Sequence, residues 1–223
     1  MIFLNELKEE KVVYSEPDWE VYLKKYYDTF DRGHDREHAE AVVAFADKLA
    51  KKHDPKNRRI IRAAAYLHDI GISKGRENHA QSSMTLILQD PELKKFYTKN
   101  ELKMVAYAAA EHRSSTGKPK TIMQKIISDA DRISAPNPVK RAYLYGVDNL
   151  NLQGEEAYDR AGAHIVEKYS KGGKGRRVYF PESEKEFAKK YDKIIKAYKK
   201  NDIATIKKLV NESLTEEDYY DIL

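Results

Sequence analysis

The sequence predicts an all-α chain, and three observations carry that reading. Apolar residues recur at helical spacing in eight or more segments, no strand–helix–strand rhythm is present, and the connections are short. The one strand-like run, Arg177–Phe180, has four residues and cannot make a sheet. At 223 residues the chain is expected to form a single helical-bundle domain over 1–223. Its inner part would span about 29–135, with C-terminal helices at about 139–222 packed on it.

Each element has its own signal. Asp18–Phe30 spaces Trp19, Tyr22, Leu23, Tyr26, Tyr27 and Phe30 along one side of a helix. Gly33 interrupts, and Arg36–Lys52 follows with Ala39, Val42, Val43, Ala46 and Leu49 as its apolar face. Asp54-Pro55 punctuates and starts the helix Asn57–Asp69, which Gly71 is expected to stop. After the polar Lys74–Asn78, helical periodicity returns over His79–Gln89 and ends at Asp90-Pro91. Asn100–His112 and Thr121–Ser134 come next, divided by the loop Arg113–Lys120. Beyond Ala135-Pro136-Asn137-Pro138, helices are predicted at Val139–Tyr145, Glu155–Tyr169 and Glu182–Lys199, with shorter ones at Asp202–Asn211 and Glu216–Ile222.

Composition narrows the function classes. The chain has no cysteine, which excludes disulfide scaffolds, thiolate metal sites and cysteine nucleophiles. Any metal must be held by nitrogen and oxygen. Apolar runs such as Ala41–Ala46 are far too short to span a bilayer, and Met1–Leu4 lacks the layout of a signal peptide. A soluble, cytoplasmic protein with no membrane partner is the expectation. The 41 basic residues exceed the 36 acidic ones by only five, with both signs interspersed. That surplus does not mark a nucleic-acid binder, but it suits a site for phosphorylated small molecules.

The chemistry-bearing residues cluster. Six of the seven histidines fall between His34 and His112, most of them near acidic residues or helix ends. His34 and His38 are four apart, which places them on one face of a helix that already starts there. His68-Asp69 sets an imidazole beside a carboxylate at a helix end. His79 opens a helix, His112 closes one, and Asp129 and Asp131 stand near the end of another. A lone histidine is more often a satisfied surface or core residue than a ligand, and His53, after Lys51-Lys52, reads as solvated. Imidazole and carboxylate without thiolate suit Mn, Fe, Ni, Co or Zn. Periodicity alone leaves the choice between Asp129 and Asp131 open.

In order and context these residues resemble the HD-domain metal-dependent phosphohydrolases, named for a histidine–aspartate pair. The pattern consists of His38 in Gly-His-Asp-Arg-Glu-His, His68-Asp69 in Leu-His-Asp-Ile-Gly, and Asp131 in Asp-Ala-Asp-Arg-Ile. The resemblance implies an all-α helical bundle in which His38, His68, Asp69 and Asp131 bind a first divalent metal. It implies that His79 and His112 hold a second ion, that Asp69 bridges the two and orients the attacking water, and that Asp131 rather than Asp129 is the ligand. Asp129 becomes an outer acceptor for a histidine or an arginine. The metal could be Fe, Mn, Ni, Co, Zn or Mg. The chain departs from the pattern at Ala41, where an arginine is frequent, and at the basic loop Gly172–Arg177. That loop lacks the strand and the Lys-Ser/Thr end of a nucleotide-binding loop, so it reads as a mobile basic segment.

The expected activity is therefore metal-dependent hydrolysis of a small phosphorylated substrate, a nucleotide or a related phosphate ester. Arg36, Lys74, Arg113 and Arg132 lie within a few residues of proposed ligands and are the candidate phosphate contacts, with Lys74 also a candidate catalytic base-region residue. Two alternatives stay open: a di-iron oxygenase on the same ligand set, and a non-enzymatic ligand-binding module that keeps the metal. A homo-oligomer also stays open.

Overall fold

A computed structural model describes residues 15–27, 36–113, 116–135 and 137–215. Among these the regular structure is entirely helical, in ten α-helices and four short 3-10 turns. The helices are α1 (Trp19–Tyr27), α2 (Arg36–His53), α3 (Arg58–Leu67), α4 (His79–Gln89), α5 (Lys99–Ala110), α6 (Ile122–Ser134), α7 (Pro138–Leu150), α8 (Gly154–Tyr169), α9 (Pro181–Lys199) and α10 (Ile203–Asn211). None is long and apolar enough to cross a membrane. The segments expected at His34 and at Glu216–Ile222 lie outside the described residues.

Local chemistry sets the boundaries. Thr98 and Thr121 each close a capping box, with Glu101 and Gln124 returning the bond, so α5 and α6 begin where two orphan N–H groups find partners. Asn137 caps α7 ahead of Pro138, and Asn151 in the left-handed region at φ 53° ends it. The helix α7 thus runs five residues beyond the expected Tyr145, because nothing breaks it before Asn151.

The core falls into two hydrophobic clusters. One gathers Trp19, Leu49, Ile61, Leu67, Val105 and Ile126, and the other gathers Ile165, Phe187, Tyr191, Ile194 and Val210. The helix α6 joins them, giving Ile126, Ile127 and Ala130 to the first and Ile133 to the second, while Phe45 of α2 packs against both. Each fully buried Leu, Ile or Phe contributes about 1.5–3 kcal/mol. In the first cluster α2 packs on α3 and α6, and α4 on α5; in the second α8 packs on α7 and α9.

One expectation changes. Gly71 does not end a helix; it lies inside the 3-10 turn Ile70–Lys74 that follows α3. A Cβ there would meet the His79 carbonyl oxygen at 2.0 Å and the Ser83 nitrogen at 2.4 Å, so its small size lets α4 approach. As expected, the strand-like Arg177–Phe180 makes no sheet. Its Tyr179 and Phe180 N–H groups donate instead to the buried Asp129 carboxylate at 2.9 and 3.1 Å.

Candidate metal centre

Five helices bring six side chains that could hold a metal to one point. His38 sits in the first turn of α2, and Asp131 in the last turn of α6. His68 is the C-cap of α3, and Asp69, at φ −108° and ψ 3°, starts the turn that follows. Leaving helical geometry at Asp69 splays the adjacent imidazole and carboxylate into the same space. His79 is the first residue of α4, and His112 lies just beyond the end of α5.

The imidazole protons are assigned by their partners. Nδ1 of His68, His79 and His112 faces the carbonyl oxygen of Ala65, Arg76 and Ala109 at 2.7, 2.7 and 2.6 Å. Nδ1 of His38 faces the Ser134 carbonyl at 3.2 Å. A carbonyl oxygen only accepts, so each Nδ1 donates, and in the neutral ring each Nε2 carries a lone pair. For His68 and His112 the acceptors are helix-end carbonyls that no intrahelical N–H satisfies.

All four Nε2 atoms converge on Asp69. His68 Nε2 is 3.2 Å and His38 Nε2 3.9 Å from Asp69 Oδ2, while His79 and His112 Nε2 are 3.2 and 3.3 Å from Asp69 Oδ1. Asp131 Oδ1 completes the first group, 3.3 Å from His38 and 3.7 Å from His68. Two ligand sets result, His38–His68–Asp69–Asp131 and Asp69–His79–His112, which share Asp69. His68 Nε2 and Asp69 Oδ1 are buried without a hydrogen-bond partner. A cation fits them: imidazole nitrogens and carboxylate oxygens facing one another form a site that attracts a positive charge, and these nitrogen and oxygen donors suit a divalent transition ion.

Charge in the cluster is strongly coupled. Burial pushes the Asp69 carboxyl up, but the neighbouring His68, His112 and His79 more than offset it and hold it well below its ordinary value. Burial likewise opposes a charged His68, yet Asp69 and Asp131 hold its pKa well above the usual imidazole range. Asp131 is also held far down, mainly by His38 and His68 acting against burial.

The centre opens onto a cleft of about 1180 Å³. Arg113 lines it, with Nη1 donating to the Glu77 carbonyl oxygen at 2.6 Å. The other expected phosphate contacts fall elsewhere. Lys74 is exposed at the end of its turn and is not among the lining residues. Arg132 is buried in α6, with Nη2 donating to Ser128 Oγ at 3.3 Å. Arg36 opens α2, and its side chain lies outside the described residues. Asp129 faces away from the ions' position, toward the start of α9.

The cleft's remaining cations were not among the expected phosphate contacts: Arg76 before α4, Arg160 and Lys168 on α8, and Lys174 of the basic loop. On α8, Arg160, His164, Glu167 and Lys168 follow i, i+4, i+7, i+8 spacing, flanking the buried face of Ala161, Ile165 and Tyr169. That polar stripe was the available signal. The basic loop is also corrected. Gly173 and Gly175 pack so closely on α8 that a Cβ would lie 2.5 Å from the Lys168 carbonyl oxygen or 2.7 Å from the Tyr169 ring. Arg176 is held by Glu184 and Asp192 at 2.7 and 2.6 Å, so the segment is packed on the fold instead of projecting as a free basic arm.

Comparison with known proteins agrees with this architecture. Residues 36–135 match the family model for the HD domain, a span that holds all six candidate ligands. No curated protein matches the sequence significantly. The crystal structure of a predicted HD superfamily hydrolase from an uncultured Thermotogales bacterium is similar, with a TM-score of 0.53 at 18% identity over 82% of this chain and 87% of that one. At that identity the likeness establishes the shared fold.

Proposed function

For this HD-domain protein, we propose a metal-dependent phosphohydrolase that acts on a nucleotide or another small phosphorylated metabolite. One observation carries the reading: a carboxylate shared by two ligand sets at the floor of a cationic cleft. Outside the ligands, the cleft is lined by Arg76, Arg113, Arg160, Lys168 and Lys174 against only Glu77 and Glu167.

Divalent ions bound here would bring the pKa of a coordinated water toward neutrality and draw charge from a phosphoryl oxygen. His38, His68 and Asp131 would hold the first ion, His79 and His112 the second, and Asp69 would serve both, one oxygen facing each set. The backbone carbonyls behind the four imidazoles fix ring orientation and keep Nε2 as the donor atom. Arg113 and the α8 cations face the same cleft, where they would neutralise phosphate oxygens that the ions leave uncovered. Lys74 has no part in this reading, being exposed and away from the lining.

The same ligand set would also serve oxygen chemistry; the cleft lined with arginine and lysine favours a phosphorylated substrate and with it the hydrolase reading. The test is phosphate release from a panel of nucleotides and phosphoesters by chelated and by metal-restored protein. Release that depends on restored metal supports the reading. Equal release in both samples, or none across the panel, defeats it.

A further inference from the structure

We propose that the pocket between α7 and α8 is an anion subsite that takes a second phosphoryl group of the substrate, apart from the one at the metal centre. The pocket has a volume of about 410 Å³ and lies beside the main cleft, and all of its lining except Ala135 falls outside the span matched by the HD-domain family. Arg160, His164 and Lys168 line both cavities, so the α8 stripe is a shared wall leading from one to the other. Arg141, from the facing turn of α7, lines only the second pocket.

Its charge is one-sided. Two arginines, a lysine and a histidine line it, and no acidic residue does. Among the described residues, Arg141, Arg160 and Lys168 form no salt bridge with a carboxylate, whereas Arg176, a few residues further on, is held by two. Burial lowers the Lys168 pKa and the nearby Arg141 lowers it further, so these cations strain against one another. His164 is pushed down by burial and then by Lys168 and Arg160. Like charges gathered in a concave site without counter-charge are what a bound anion relieves. The remaining wall, Ala135, Pro138, Ala142, Tyr145 and Tyr169, carries no carboxylate, and its two tyrosine hydroxyls are further donors that an anion can accept from. The substrate class that spans both cavities is a diphosphate or a bisphosphate ester, not a simple monoester.

This deepens the phosphohydrolase reading and rests on it, so its test has two arms. The first is binding of inorganic pyrophosphate by calorimetry to the Asp69→Asn protein, whose shared metal ligand is altered, with and without Arg141→Ala. Arg141 is exposed, so its replacement spares the core, and Arg141→Lys restores the charge. The account expects Arg141→Ala to weaken pyrophosphate at least about tenfold and Arg141→Lys to recover most of it. Equal affinity in all variants overturns the subsite. The second arm is the ratio of kcat/KM for a bisphosphate over its matched monophosphate, measured on metal-restored protein. Arg141→Ala should lower that ratio about tenfold or more. Loss of pyrophosphate binding with an unchanged ratio means that the pocket holds a free anion, which overturns its assignment to the substrate. Absence of any hydrolysis defeats the phosphohydrolase reading and this substrate assignment with it, while the binding arm still reports separately whether the pocket takes an anion.

Discussion

The Nε2 atoms of His79 and His112 stand 3.2 Å apart, and each ring donates its Nδ1 proton to a carbonyl three residues earlier. Two neutral imidazoles so oriented present lone pair to lone pair, beside a carboxylate oxygen 3.2–3.3 Å from both. A cation between the three atoms turns that repulsion into coordination. The proposed second ion therefore depends on both rings. His79→Ala or His112→Ala should lower bound metal from two ions per chain to one, read by elemental analysis after gel filtration. Unchanged stoichiometry in both variants would remove the second site.

The two carboxylates of Asp129-Ala130-Asp131 are expected to behave oppositely. Residues two apart on a helix point roughly 200° from each other. Asp131 reaches His38 at 3.3 Å, whereas Asp129 accepts from the Tyr179 and Phe180 N–H groups. Asp131→Asn should abolish tight metal binding with little change in fold. Asp129→Asn should keep the metal and cost about 1–3 kcal/mol of stability, since a buried acceptor of backbone N–H groups is replaced by an amide. Metal content and denaturant unfolding of both variants decide it, and the reverse pattern would reassign the ligand.

Gly71 sets the distance between the two ligand sets. Its N–H donates to Ser83 Oγ at 2.9 Å, and that hydroxyl donates to the His68 carbonyl at 2.7 Å. With the His79 carbonyl 2.0 Å from where a Cβ would stand, Gly71→Ala must push α4 outward. The expected cost is about 1–3 kcal/mol or more. The expected signature is loss of the ion at His79 before the ion at His38, visible as one metal per chain. A variant with wild-type stability and two ions would show that this contact is not tight.

Much of this was legible in the sequence because the signals are local. The apolar faces of α2 and α5 and the punctuation at Asp54-Pro55 are written in consecutive residues, and so is each short ligand motif. What sequence proximity does not encode is direction. Arg132 follows Asp131, but one helical step turns a side chain by about 100°, and this one points into buried packing. Lys74 follows Asp69 by five residues of tight turn and emerges on the exposed side. The cations that do reach the cleft, Arg160 and Lys168, lie far along the chain and arrive only because α8 packs in the second cluster. Their face was readable as a stripe, but its destination is a tertiary fact.

A stability test probes the anchoring of α1. Tyr22 donates its hydroxyl to Asp90 Oδ2 at 2.6 Å, and Lys25 reaches the same oxygen at 3.2 Å. Burial pushes the Asp90 carboxyl up, but Tyr22 and then the Glu92 N–H and Lys25 outweigh it, so its folded pKa lies below the ordinary value. That contribution is fully present above the ordinary carboxylate pKa of about 3.9 and is lost as pH falls through the folded pKa. Tyr22→Phe should therefore cost about 1 kcal/mol near neutral pH, with the difference from wild type narrowing below about pH 4. Urea unfolding of both proteins across that range measures it. A difference that stays constant on acidification would mean that the hydroxyl acts through packing alone.

The most direct measurement is phosphate release followed while metal is titrated into chelated protein, with Asp69→Asn in parallel. Asp69 is the one side chain both ligand sets share. The account predicts that release from wild-type protein rises with metal occupancy and that Asp69→Asn stays near background at every metal concentration. Release that is independent of occupancy, or undiminished in Asp69→Asn, would contradict it.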